Sequence, residues 1–260
     1  MSLIWLVRHI TAKVHLSVVP AVLAVAILLP SHVHAAEFNV AVAANFTDPA
    51  KEIAQQFQTK TGHKAVLSFG ATGQFYTQIT QAAPFHVFFS ADQSTPKKLV
   101  DDGLAVGDTL FTYAVGKIVL FSMNPRLVSG EQTLRDGKFN KIAIANPTVA
   151  PYGEAAVETM KALGVYDALS SKIVQGSNIA QTYQFVETSN AELGFVALSQ
   201  VITRKDGSRW LVPANLYTPI RQDAVLLKSA AANEAAKSFL TFMKGPEAAA
   251  VIEKFGYGTK

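Results

Sequence analysis

The chain of 260 residues contains no cysteine, so its fold depends on a hydrophobic core and not on disulfides. Charged residues are few, at 16% of the total, and no stretch clusters basic residues as nucleic-acid-binding surfaces do. We therefore expect no nucleic-acid partner. Hydrophobic residues make up 49% of the chain, which is ample for a large core and one or two domains.

The sequence also has little of what an enzyme uses. Beyond residue 35 the only histidines are His63 and His86, and neither lies in the spacing of a catalytic triad or a metal site. No Gly-x-Ser-x-Gly motif occurs, and carboxylates are not clustered. We predict a protein that is not an enzyme and needs no cofactor. An enzyme acting on an anionic substrate is the alternative.

Only one apolar run has the composition of a targeting segment. Residues 16–29 are almost wholly apolar, Arg8 and Lys13 precede them, and small residues lead to Ala35. This order predicts a cleavable signal peptide over residues 1–35, with cleavage after Ala35 or Ala36, and a periplasmic protein. An uncleaved membrane anchor is the alternative, although the run is short for a membrane span and contains Pro20.

Strand-like and helix-like segments alternate along the rest of the chain, a pattern typical of parallel sheets flanked by helices. Two apolar runs, residues 110–122 and 217–227, are too long for one ordinary strand. We interpret them as crossings between two sheets. The predicted fold is α/β with two lobes, each a mainly parallel sheet flanked by helices, joined by two crossover strands. Lobe I comprises residues 36–115 and 220–260, and lobe II comprises residues 116–219.

Four loops join a predicted strand to a predicted helix through small or hydroxyl residues. Residues 69–79, "FGATGQFYTQI", resemble a phosphate-binding loop but lack its Lys, and similar loops lie at residues 43–47, 146–153 and 176–179. Helix N-termini carry unpaired N–H groups and partial positive charge. The side chains of Asn45, Thr47, Thr72 and Ser177 can donate hydrogen bonds, although each is also an ordinary N-cap type. Together the loops predict a small dianion held by neutral donors in the cleft between the lobes.

Six segments carry a resemblance to a known family. They are "AVAANFTDPAKEIAQQF", "SFGATGQFYTQI", "FFSADQSTPKKL", "NPTVAPYGEAA", "GFVALSQ" and "FMKGPEAAAVI". In this order they resemble the periplasmic molybdate-binding proteins of ABC transporters, over nearly the whole chain beyond residue 35. The resemblance implies a monomeric receptor that binds molybdate, or tungstate, and delivers it to the membrane permease of an ABC transporter. A receptor for another small anion, such as sulfate or an organic acid, is the alternative.

The resemblance also implies ligand-binding positions. Carried over by motif, they fall on Ala44, Asn45, Thr72, Tyr152 and Ile179. Tyr152 and Ile179 would act through backbone N–H groups, and Thr72 stands where the family more often has Ser. Molybdenum would be present only as the bound oxyanion, without direct protein ligands. One branch of the family has a Tyr hydroxyl where this chain has Ala197, so the resemblance is to the branch that uses Asn in the first loop.

Overall fold

The structure is a computed structural model that describes residues 35–258. The predicted signal peptide therefore lies outside the described residues, apart from Ala35. The strands are β1 (Glu37–Ala43), β2 (Lys64–Gly70), β3 (Val87–Phe89), β4 (Phe111–Gly116), β5 (Ile118–Ser122), β6 (Ile142–Ala145), β7 (Ile173–Gly176), β8 (Leu193–Ala197), β9 (Ser208–Leu211) and β10 (Ile220–Leu226). The helices are α1 (Thr47–Thr61), α2 (Thr72–Thr80), α3 (Ser94–Asp101), α4 (Gln132–Asp136), α5 (Pro151–Ala162), α6 (Tyr166–Leu169), α7 (Ile179–Glu187), α8 (Leu198–Val201), α9 (Glu234–Met243) and α10 (Pro246–Lys254).

The strands form two five-stranded sheets with related orders, β2-β1-β3-β10-β4 and β7-β6-β8-β5-β9. In the first sheet β1 pairs in parallel with β2 and β3, and β10 runs antiparallel to β3 and β4. In the second sheet β6 pairs in parallel with β7 and β8, and β5 runs antiparallel to β8 and β9. Both sheets are therefore mixed, with a parallel half made of strand–helix units and an antiparallel half made by the crossing strands.

The first apolar run crosses between the sheets as the sequence predicts. Strand β4 ends at Gly116 in the first sheet, and β5 begins two residues later, at Ile118, in the second. The second run contains β10, which brings the chain back to the first sheet. The sequence does not predict β9, because its four residues alternate between half-buried and exposed at a sheet edge and form no apolar run.

Each sheet has its own core. Aromatic rings of the first sheet and its helices pack edge to face, as Phe57 does on Phe239 with ring centroids 5.0 Å apart. Aliphatic residues of β5, β6 and β8 form the centre of the second core. Among the described residues, none of the helices is long and apolar enough to cross a bilayer.

The parallel strands determine where a ligand site can form. Strands β1, β2, β6 and β7 are each followed within a few residues by a helix, so the first turns of α1, α2, α5 and α7 lie at the carboxyl ends of the two sheets. These ends are where ligands bind in open α/β folds.

Candidate functional site

One small cavity brings together loops from both sheets. It is small, with about 10 Å³ of space that the centre of a water molecule can occupy, which is about enough for one water molecule. Its lining consists of Ala43, Ala44, Asn45, Gly70, Ala71, Thr72, Ala91, Ala150, Pro151, Tyr152 and Ile179. All five residues that the resemblance points to, Ala44, Asn45, Thr72, Tyr152 and Ile179, are in this set. The lining limits a ligand at this site to a few atoms.

No charged residue among residues 35–258 lines this cavity, and its electrostatics come from the backbone. Helices α2, α5 and α7 all begin at it, and each N-terminus carries about half a positive charge. The first turns of α2 and α7 contain no acidic residue, and Glu154 in the first turn of α5 is exposed. The cavity is therefore positive without a cation, which favours a small anion.

The starts of α2 and α5 each place one first-turn N–H at the cavity. In α2 the Ala71 N–H donates to the Gln74 side chain at 3.2 Å and the Gly73 N–H to the Val149 carbonyl at 3.0 Å, and Thr72 lies between them. In α5 the first residue is a proline, which has no N–H, so Tyr152 contributes the first donor of the helix. A helix has no carbonyl that accepts from its first-turn N–H groups.

The start of α7 follows the same arrangement. The Asn178 side chain accepts from the N–H groups of Ala180 and Gln181, both at 3.0 Å, and the Ser177 N–H donates to the Gln181 side chain at 2.6 Å. The neighbouring N–H groups are thus occupied by capping bonds, and Ile179 lies at the cavity with the first N–H of the helix. Capping therefore selects a single donor for the ligand.

Thr72 is the side-chain donor that the geometry supports best. It is 2% exposed, and its Oγ1 accepts a hydrogen bond from the Ala91 N–H at 3.0 Å and lies 3.4 Å from Ser90 Oγ. Because the Ala91 N–H occupies a lone pair of the hydroxyl, the hydroxyl proton can point to the cavity. Ser90 and Ala91 lie in "FFSADQSTPKKL", one of the segments that carry the family resemblance, but no local pattern assigns them to the site.

In this structure the Asn45 side chain donates to other residues of the protein, and its role as a ligand donor stays a prediction. Both hydrogens of its amide are taken, by Gln222 Oε1 at 2.8 Å and by the Tyr257 hydroxyl at 3.1 Å. These partners lie 177 and 212 residues away in the chain, so no local pattern predicts them. The donors that the first loop can offer are the backbone N–H groups of Ala44 and Asn45, at the start of the short 3-10 helix Ala44–Phe46.

Two other predicted donors do not line the cavity. Thr47 Oγ1 donates to the Ala44 carbonyl at 2.8 Å, which closes the turn into α1. Ser177 is exposed. Thr47 and Ser177 are therefore ordinary loop and cap residues, which is the alternative that the sequence left open for them. Ala197, at the position of the Tyr in one branch of the family, is fully buried at the end of β8 and does not line the cavity.

A larger open cleft adjoins the cavity and shares Ala91 and Pro151 with it. Its lining carries the carboxylates of Asp92, Glu154 and Glu158 and one cation, Arg221, so acidic groups outnumber basic ones. Desolvation raises the pKa of Asp92 above its ordinary 3.8, despite hydrogen bonds from Thr95 and Ser90 that act in the opposite direction. This cleft is a poorer place for a dianion than the uncharged cavity beside it.

Comparison with known proteins places the chain in a family. The family model described as bacterial extracellular solute-binding protein matches residues 38–258. The chain belongs to this family. Among solute-binding proteins it is 55% identical over 226 residues to the molybdate-binding protein ModA of Rhodobacter capsulatus, covering 87% of this chain and 90% of that protein. It is 53% identical over 237 residues to ModA of Azotobacter vinelandii, covering 89% and 93%.

A solved structure of the family has the same fold. The periplasmic molybdate-binding protein of Azotobacter vinelandii superposes with a TM-score of 0.84 and 41% sequence identity, covering 86% of this chain and 99% of that one. The two-sheet α/β fold predicted from the sequence and the family resemblance are both confirmed. The individual ligand positions remain a prediction.

Proposed function

We propose that this chain is a periplasmic receptor that binds molybdate between its two sheets and delivers it to the membrane permease of an ABC importer. The observation that carries the proposal is the cavity, in which donors from both sheets and three helix N-termini surround a space without a charged side chain. Molybdate is a tetrahedral dianion that carries no proton at neutral pH, so it needs donors only. The relatives at 55% and 53% identity are named for binding molybdate.

The proposed ligand set is backbone N–H groups of Ala44, Asn45, Tyr152 and Ile179, with the N–H and the hydroxyl of Thr72. Molybdenum enters only as the oxyanion, without protein atoms in its coordination shell. Hydrogen bonds to a charged group stabilise by ~1.5–3 kcal/mol each. A handful of them reaches micromolar affinity, about −8 kcal/mol, after the costs of association. Tungstate has the same charge and shape, and binds the same donors.

The remaining features of the proposal follow from its role. Residues 1–35 are a cleaved signal peptide that exports the chain to the periplasm. Residues 36–115 with 220–260 form lobe I and residues 116–219 form lobe II, and the ligand stabilises their closed arrangement as a monomer. The permease recognises this closed form. The protein needs no cofactor and is a binding protein rather than an enzyme.

Titration calorimetry with molybdate, tungstate, sulfate and phosphate tests the proposal. We expect one molybdate per chain and similar affinity for tungstate. At pH 7 phosphate is present as HPO4²⁻ and H2PO4⁻, so each ion carries at least one proton, and no carboxylate of the described residues lines the cavity to accept it. An unpaired buried donor costs ~1–3 kcal/mol, so phosphate should bind at least about tenfold more weakly. Equal affinities for phosphate and molybdate, or an absence of molybdate binding, would contradict the proposal.

A further inference from the structure

A buried amide lies directly behind the cavity, on the strand that returns the chain to the first sheet. Gln222 is in the middle part of β10 and has no solvent exposure. Its Oε1 accepts from Asn45 Nδ2 at 2.8 Å and lies 2.9 Å from the Tyr113 hydroxyl, and its Nε2 donates to the Tyr152 hydroxyl at 3.2 Å. Burial raises the pKa of both tyrosines well above 10, so the phenols stay neutral.

The three partners of Gln222 are divided between the two lobes. Asn45 directly follows β1 and Tyr113 lies in β4, both on the side of the first sheet, whereas Tyr152 is the second residue of α5, which packs on β6 and β8 of the second sheet. The bond to Tyr152 therefore spans the two lobes, and the other two bonds stay within one lobe. Asn45 and Tyr152 are also the residues of two ligand loops, one from each lobe.

Gly116 lies directly against the hydrogen bond between Gln222 and Tyr152. It is the last residue of β4, just before the chain enters the second sheet. A Cβ at this position would lie 2.1 Å from the Tyr152 hydroxyl and 2.6 Å from Gln222 Nε2. Glycine therefore leaves the space in which Gln222 and Tyr152 meet, and a movement of one lobe about this crossing changes the distance between them.

We infer that Gln222 is a positioning residue that couples the two ligand loops, so that the lobes close and the donor set becomes complete together. It holds Asn45 on its own side of the cleft and Tyr152 on the other through one rigid amide. The role rests on the proposed receptor function. In the proposed site Tyr152 contacts the ligand only through its backbone N–H. The inference predicts that its phenol nevertheless controls how long the ligand stays bound.

Two matched variants separate coupling from stability. Tyr152→Phe and Tyr113→Phe each remove one buried hydroxyl bonded to the same amide, but only the first breaks a bond between lobes. The Tyr113 hydroxyl also lies 2.9 Å from the Ser90 carbonyl, a contact within lobe I. Because the chain has no cysteine, spin labels at Gln78→Cys and Lys161→Cys, exposed positions on α2 and α5, report the distance between lobes. Stopped-flow measurement of molybdate release gives the second readout.

We expect Tyr152→Phe to lengthen the distance between labels in the ligand-free protein and to speed molybdate release about two- to tenfold, the effect of one hydrogen bond. Tyr113→Phe should lower the unfolding temperature but leave distance and release rate as in the parent protein. Equal effects of both variants, or no effect of Tyr152→Phe on either readout, would overturn the inference. If the parent protein does not bind molybdate, the proposed function fails, and the label distances in free protein still decide the role of Gln222.

Discussion

At the scale of single residues, Thr72 combines two tasks in one hydroxyl. It accepts from the Ala91 N–H at 3.0 Å and, in the proposed site, donates to the anion. Thr72→Ala removes the bond to the ligand, so we expect molybdate affinity to fall roughly ten- to hundredfold, equivalent to ~1.5–3 kcal/mol. Thr72→Ser keeps the hydroxyl and should bind almost as the parent protein does. Calorimetry on the three proteins checks this, and equal affinities of all three would remove Thr72 from the ligand set.

A second prediction at the residue scale concerns Glu192 and the dependence of stability on pH. Its carboxylate accepts from the Asn140 N–H at 3.0 Å, the Asn140 side chain at 2.8 Å and the Lys141 N–H at 2.7 Å, just before β6. Desolvation raises the pKa of Glu192, but these hydrogen bonds outweigh it and bring the pKa below its ordinary 4.5. A lowered pKa stabilises the fold at pH above 4.5, and that stability is lost as pH falls further through the lowered value.

Glu192→Gln should therefore destabilise the protein at pH 7 by about 1.5 kcal/mol, the low end for hydrogen bonds to a charged group. The difference from the parent protein should shrink as pH falls below 4.5. Urea unfolding of both proteins at several pH values measures it. If the difference in unfolding free energy stays constant down to the lowest pH at which the protein is folded, the charge of Glu192 does not contribute to stability.

The residue scale also shows what the sequence could not predict about the site. Thr72, Tyr152 and Ile179 follow recognisable strand–loop–helix patterns, and the structure brings all three to one cavity. The sequence does not predict the partners of the Asn45 amide, Gln222 and Tyr257, because they come from the last fifth of the chain. Hydrogen bonds between distant segments depend on the packing of both sheets, which local spacing does not contain.

At the scale of elements, the start of α5 depends on one glycine. A Cβ on Gly153 would lie 2.1 Å from the Ala145 carbonyl oxygen and 2.7 Å from its carbon, at the end of β6. These are backbone atoms and cannot move aside as a flexible side chain does. Gly153 therefore lets the N-terminus of α5 approach the sheet and places the neighbouring Tyr152 N–H at the cavity.

Gly153→Ala should push the start of α5 away from β6. We expect a loss of ~1–3 kcal/mol of stability from overpacking and a clear loss of molybdate affinity. Lys161→Ala, on an exposed position of the same helix, is the control and should change neither quantity by much. Thermal unfolding and calorimetry give both values. Parent-like binding by Gly153→Ala would mean that the position of the α5 N-terminus is not critical.

Elements differ in how well the sequence predicts them. The strand–helix units at the start of each sheet are clear, because their apolar periodicity is long and glycines mark their ends, as Gly62 does after α1 with a φ of 76°. Strand β9 and helices α4, α6 and α8 have only four or five residues each, too few to show a period. Tertiary packing determines such short elements.

At the scale of the whole molecule, two similar sheets face one another across a cavity to which both contribute donors. Direct bonds already join them beside the cavity, from the Gly73 N–H to the Val149 carbonyl at 3.0 Å and from Ser199 Oγ to the Asn45 carbonyl at 2.8 Å. An anion at the cavity adds bonds to both sheets at once and so stabilises the closed arrangement. Ligand binding and closure of the two lobes are therefore coupled.

The central claim is that molybdate lies in this cavity and is held by neutral donors alone. The most direct test is a crystal structure of the molybdate-saturated protein with anomalous diffraction data at the molybdenum absorption edge. We predict one molybdenum peak per chain, between Thr72, Tyr152 and Ile179, with four oxygen atoms around it and no protein atom bound to the metal. A peak in the adjoining acidic cleft, or a side chain coordinated to molybdenum, would contradict the account.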